Sequence, residues 1–263
     1  MTNYEGATDL SVSLPDPLPI PGRAPKIWGF WATALWGLGA ILVFVVSQVA
    51  TAVIYVLWPF DLLVSLQDLE TALINVGQNG PAVAVIEAVS VSCLLSFLAL
   101  AMACSHTRIG DYLSLKWPRT RDILIGVAAL FGVLALAAAL AAVAGVETPS
   151  FMTGTFESSR DAGQLPFLFI AFLIAAPIGE EALFRGFLYR GFVGRLGVAG
   201  AIIVTAALWA ILHIQYELFF VIPIVMLGLL LGWIRWKSDS TLLAIMLHSL
   251  NNGLALLVLA LSQ

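Results

Sequence analysis

The run Phe167-Leu-Phe-Ile-Ala-Phe-Leu-Ile-Ala-Ala-Pro177-Ile-Gly-Glu180-Glu181-Ala-Leu-Phe-Arg185-Gly-Phe-Leu-Tyr189 has the composition of a lipid-embedded helix, yet it carries two adjacent glutamates and an arginine. Each ionisable side chain near a bilayer centre costs about 2.5–3.5 kcal/mol on insertion scales, so such residues point to function. Glu181 and Arg185 are four apart, with the acid N-terminal to the base, the favourable order for an ion pair on one helical face. Glu180 is rotated about 100° from Glu181 and has no local partner. The spacing therefore predicts one carboxylate held in place and one available for chemistry. Pro177 and Gly179 either kink the helix or start a new one. The second alternative would set the positive end of a helix dipole beside the acids.

The rest of the chain makes a membrane setting unavoidable. Of its 263 residues 60% are hydrophobic and only 11% charged, with a mean hydropathy of +0.99, whereas soluble domains carry about 25% charged residues. The fold class expected is an all-α polytopic membrane protein of about seven transmembrane helices (six to eight). Seven apolar segments, near 28–58, 81–104, 123–145, 167–189, 197–214, 218–236 and 241–261, each approach the roughly 20 residues that span a bilayer. Residues 1–26 form a Pro-rich tail, read as disordered and not as a signal peptide, because no basic region precedes the apolar run. Residues 27–145 then form three N-terminal spans, 146–166 a polar loop expected to be mobile, and 167–263 the core that holds the site. Loop 106–122 reads as an interfacial stretch, with Tyr112, Leu113, Leu115 and Trp117 among basic residues.

Charge placement predicts orientation. Arg23 and Lys26, then Arg108, Lys116, Arg119 and Arg121, then Arg190 and Arg195, then Arg235 and Lys237 fall on alternate connections. The intervening connections carry one base, Arg160, among Asp61, Asp68, Glu70, Glu147, Glu157, Asp161 and Glu217. The positive-inside rule puts the N-terminus in the cytoplasm, in an inner-type membrane. A net charge of −4 argues against nucleic acid as a partner. The two cysteines, Cys93 and Cys104, read as small core residues and not as metal ligands.

Membrane polarity is concentrated late in the chain. His213 ends the fifth segment, and His248 and Asn252 lie four apart on one face of the seventh. Chain distances to the intervening turn set Glu180 and His213 at similar height in an antiparallel pair, and put these groups in the cytoplasmic half of the membrane. Gathered together, a carboxylate, two imidazoles and a carboxamide suit hydrolysis: they can deprotonate a water, ligate a metal or donate to an oxyanion. Taken singly, a membrane histidine or Asn252 is interhelical glue. Glu87 in the second segment is a further buried acid with no motif around it, open to a structural or a functional reading.

The pattern Glu180-Glu181-x-x-x-Arg185, then Trp209-x-x-x-His213, then His248-x-x-x-Asn252 resembles the CPBP family of CAAX-protease and bacteriocin-processing (Abi-type) intramembrane proteases, which includes the Ras-converting prenyl endopeptidases. The resemblance covers roughly residues 167–261. The second motif usually opens with Phe, so Trp209 is a departure, read as a change of packing. What the resemblance implies is a cavity in the last four helices, open to the cytoplasmic side. There a peptide or membrane-protein substrate would be cut near its C-terminus or at the membrane surface. Glu180 and His213 would activate water, His248 and Asn252 would stabilise the oxyanion, and Glu181 and Arg185 would support them. Zinc held by Glu180, His213 and His248, or no metal at all, both remain open, because the HExxH arrangement is absent. Two other readings are a proton- or cation-coupled transporter and a non-catalytic membrane partner, such as a bacteriocin-immunity protein or scaffold.

Overall fold

The computed structural model describes residues 27–58, 65–146, 150–213 and 218–262. The N-terminal tail and the Ile214–Glu217 link lie outside the described residues, and the sequence expectations for them are left there. The described residues are helical without strands: α1 Phe30–Leu57, α2 Leu66–Val76, α3 Gly80–Cys104, α4 Ile109–Tyr112, α5 Thr120–Ala144, α6 Ser150–Asp161, α7 Leu165–Ile170, α8 Ala176–Glu181, α9 Tyr189–Ile211, α10 Leu218–Ser238 and α11 Thr241–Ser262. Two π-helical turns, Ala171–Ala175 and Ala182–Leu188, join α7, α8 and α9 into one run.

Six helical stretches are long and apolar enough to span a bilayer, and one of them, Leu165–Ile211, has 47 residues. At about 1.5 Å per residue it would measure about 70 Å, more than twice the hydrocarbon thickness. It is two spans. Gly197, at φ 67° and ψ 176°, breaks the run where only glycine turns without strain, so the count is the expected seven. The protein is a multi-pass membrane protein.

The basic turns gather on one face. The turn between α10 and α11 is clamped to the segment after α4: Thr241 N donates to Ser114 O at 3.1 Å, and Ser240 Oγ to Lys116 O at 2.5 Å. Asp239 accepts from Lys116 Nζ and, at 2.9 Å, from Arg235 Nη1. On the same face Arg190 donates to the carbonyls of Asp111 and Tyr112, and Arg195 lies 5.2 Å from the centre of the Phe30 ring. Tyr112 and Leu113 are buried in the core, while Leu115 and Trp117 stay exposed. Loop 106–122 is thus half clamp and half interface.

The polar stretch expected to be a mobile loop contains the helix α6. Its Ser and Thr hydroxyls bond back to their own turns, Thr155 Oγ1 to Phe151 O at 2.7 Å and Ser158 Oγ to Gly154 O at 2.8 Å. Ser158 Oγ also receives Gly80 N at 2.8 Å, which docks α6 on the start of α3. A Cβ at Gly80 would overlap Ser159 Oγ and the Thr155 carbonyl oxygen, so glycine permits this contact. The face opposite the basic turns is therefore capped by a helix. Pairing of hydroxyls with backbone across sequence, which composition does not reveal, built it. Another short helix, α2, lies in the acidic connection and is capped by Ser65, whose side chain accepts from Asp68 N at 3.1 Å.

Asp239 supplies a pH test. Burial alone would raise its carboxyl, but hydrogen bonds and charges from Lys116 and Arg235 outweigh this and hold it below the usual carboxylate value. A lowered folded value stabilises the fold above the unfolded pKa of about 3.9 and is lost as pH falls through the folded one. Asp239→Asn is expected to flatten the fall of unfolding temperature below about pH 4, read by thermal unfolding in detergent across pH; an unchanged acid limb would show that this clamp is not what acid breaks.

Candidate active site

Pro177 explains much of the local geometry. In the π turn before it, Ala176 N bonds to Ala171 O, five residues back. In that register the carbonyl of Phe172 needs an N–H from residue 177, which proline lacks. Asn252 Nδ2 from α11 supplies the donor at 2.9 Å. Its Oδ1 accepts from Asn251 Nδ2 at 3.1 Å, which fixes the amide and leaves one Nδ2 hydrogen unspent. The helical run continues through Pro177 and Gly179, so no new helix N-terminus faces the acids. Gly179 instead allows close approach to α3, since a Cβ there would meet Val91 Cγ1 at 2.9 Å.

The glutamates separate as their spacing predicts. Glu181 is fully buried, and its Oε1 accepts from Arg185 Nη1 at 3.0 Å and from His248 Nδ1 at 3.0 Å. Arg185, also fully buried, donates its Nη2 to the carbonyl of Gly228 at 2.9 Å. A Cβ at Gly228 would stand 3.1 Å from Ala206 Cβ and from Trp209 Cε3, so a side chain there would press α10 away from α9. Burying such a pair costs several kcal/mol per ion, and the extra partners make it tolerable.

Glu180 lies at the edge of a cavity. Its side chain is 16% exposed, and its Oε2 accepts from Trp209 Nε1 and lies 3.9 Å from His213 Nε2. His213 Nδ1 is 2.9 Å from the Trp209 carbonyl, which can only accept, so Nδ1 carries a proton and in the neutral ring Nε2 is the acceptor. Two acceptors 3.9 Å apart can both take hydrogen bonds of about 2.8 Å from one water, at an angle near 90°. The arrangement fits a water that gives up both its hydrogens and turns its lone pairs outward.

Trp209 joins the two halves. Its ring lies 4.7 Å from His213, 5.4 Å from His248 and 5.0 Å from the Arg185 guanidinium. Trp in place of the usual Phe reads in the sequence as a change of packing. The structure corrects this: the indole N–H holds the Glu180 carboxylate, a contact phenylalanine lacks. A second group outside the motifs is Glu87 on α3. It lines the same cavity, its Oε1 is buried without a hydrogen-bond partner, and Gln48 of α1 lies within hydrogen-bonding reach. A charged residue on an apolar helix was its only signal in the sequence.

The cavity has a volume of about 970 Å³, within the range of ligand sites. Glu180, His213, His248 and Asn252 all line it, while Glu181 and Arg185 stand behind. From the polar groups it runs away from the basic face, past Phe172 and Phe220 to Gly77, Phe151 and Leu259. Among the described residues no group of three or more His, Cys, Asp or Glu side chains is arranged to hold a metal ion. The histidines turn their Nδ1 atoms to Trp209 O and to the Glu181 carboxyl, and Glu180 Oε2 accepts from the indole.

Residues 162–254 match the family model described as type II CAAX prenyl endopeptidase Rce1-like, a segment that holds all three motifs. No curated protein and no solved structure gives a significant match. The match supports the family suspected from the motifs: this part of a multi-pass membrane protein is similar to the CAAX-protease domain.

The buried pair gives a stability test. Arg185→Met leaves Glu181 buried and charged without its guanidinium, and is expected to cost about 3–5 kcal/mol. Thermal unfolding in detergent reads this; a loss no larger than that of the exposed Arg160→Met would show that the pair does not hold the fold.

Proposed function

We propose that the protein is an intramembrane endopeptidase whose nucleophile is a water held between Glu180 and His213. The observation that carries this reading is the 3.9 Å separation of Glu180 Oε2 from His213 Nε2 at the cavity wall. Glu180 takes a proton from the water as it attacks the peptide carbonyl carbon, and later delivers it to the leaving amine. Trp209 and the Nδ1–H of His213 fix the two acceptors before substrate arrives, so little reorganisation accompanies attack.

The oxyanion falls to His248 and Asn252. With Nδ1–H committed to Glu181, His248 offers a second N–H at Nε2 only as imidazolium. The unspent Nδ2 hydrogen of Asn252 is the second donor. Arg185 holds the Glu181 carboxyl in place and is a positioning residue. A transporter fits less well, because the chamber ends at packed apolar residues on its basic side.

The test uses the purified full chain and quenched fluorogenic peptides, lipidated and unlipidated at their C-termini, in oxygen-18 water. Cleavage is expected to place one heavy oxygen in the new carboxylate. Glu180→Gln should lower kcat by about 10²–10⁴-fold with the fold intact. Trp209→Phe, which keeps the packing and removes the indole donor, should lower it by about 10- to 100-fold. Full turnover in Glu180→Gln would refute the mechanism.

A further inference from the structure

Gln48 of α1 and Glu87 of α3 are polar residues in helices that otherwise give the cavity apolar side chains, among them Phe44, Val49, Val83 and Ile86. Helix packing brings the two together. The helices run antiparallel: Trp28 Nε1 donates to Ala101 O at 3.0 Å, and Gly39 lies against the Phe97 ring. Nine residues further along α1 and ten back along α3 stand Gln48 and Glu87, within hydrogen-bonding reach of each other.

The position of Glu87 relative to the reacting groups follows from α3. Val91, one turn later on that helix, is the residue against which Gly179 packs, and Gly179 adjoins Glu180. Glu87 therefore stands about 6 Å along α3 from the level of Gly179. An extended peptide rises about 3.3 Å per residue, so that distance is about two residues of a bound chain.

Nothing within the protein accounts for the acid. An ionisable group in a membrane helix is costly, and Glu87 Oε1 is buried with no hydrogen-bond partner. The charged group acting on it is another acid, Glu180, and among the described residues no Lys or Arg lines the cavity. Its missing partner is a donor. A peptide main chain entering an apolar cavity has the matching need, because each of its N–H and C=O groups leaves water. Glu87 supplies an acceptor and the Gln48 amide supplies two N–H donors, which together complement one peptide group.

We infer that Glu87 and Gln48 form a main-chain subsite, in which Glu87 accepts an N–H from an extended peptide whose neighbouring groups lie beside Glu180 and His213. Calling that peptide a substrate rests on the hydrolase reading, but its binding is measured without turnover.

The test uses the purified full chain carrying Glu180→Gln, and fluorescent apolar peptides, lipidated and unlipidated at their C-termini, N-methylated at one backbone position at a time. Fluorescence anisotropy reads Kd. N-methylation at one position is expected to weaken binding about 10-fold. Adding Glu87→Leu should weaken binding of the unmethylated peptide by the same factor and abolish the effect of that methyl group. Glu87→Gln keeps an acceptor and should stay within about 3-fold of its parent. The unfolding temperature of Glu87→Leu should be equal to or above that of its parent, because no partner in the chain is lost. An N-methyl effect that persists in Glu87→Leu would overturn the inference, as would absence of peptide binding. So would a loss in Glu87→Gln as large as in Glu87→Leu, which would make the ligand a cation. Failure of the hydrolase reading is seen elsewhere, as full turnover when Glu180→Gln is the only change.

Discussion

The arrangement depends on the cost of burying the Glu181 carboxyl beside the Arg185 guanidinium with no exposure to solvent. An unpaired carboxylate in that position would be untenable; its neighbours partner Glu181 Oε1, while Glu181 Oε2 and Arg185 Nε are buried without a hydrogen bond. Arg185 supplies the charge, the second π turn sets its reach, and Gly228 brings a carbonyl close enough to take its other nitrogen. His248 spends its Nδ1–H on the same carboxylate oxygen, which decides which nitrogen faces the cavity. A structural constraint thereby becomes a chemical one.

Trp209 carries that constraint to the reacting groups. It lies against Arg185 and both histidines, and its N–H ends on Glu180, so one side chain links the buried ion pair to the carboxylate at the cavity. Pro177 does the same for Asn252 by leaving the Phe172 carbonyl without a helical donor. Both links are irregularities, a tryptophan where phenylalanine is usual and a proline inside a helix. Each acts through a hydrogen bond made across the bundle.

The helices were legible because lipid demands long apolar runs, and the predicted segments fall within a few residues of α1, α3, α5, α10 and α11. The paired spacing of Glu181 and Arg185 and the shared height of Glu180 and His213 were legible for the same reason, since helical geometry turns sequence distance into position. What escaped was contact between distant residues. The polar stretch 146–166 hid α6 because its hydroxyls find partners near Gly80, far away in sequence. Cys104, expected in the core, is exposed because α3 ends beyond the packed layer.

The central claim is a division of labour: Glu181 holds the site and Glu180 works in it. Unfolding free energies of Glu180→Gln and Glu181→Gln, measured side by side in one detergent, test it most directly. The account predicts a loss of about 3–5 kcal/mol for Glu181→Gln, which strands a buried guanidinium, and of less than about 1 kcal/mol for Glu180→Gln, whose amide oxygen still accepts from Trp209. Equal losses, or a larger one at Glu180, would contradict it.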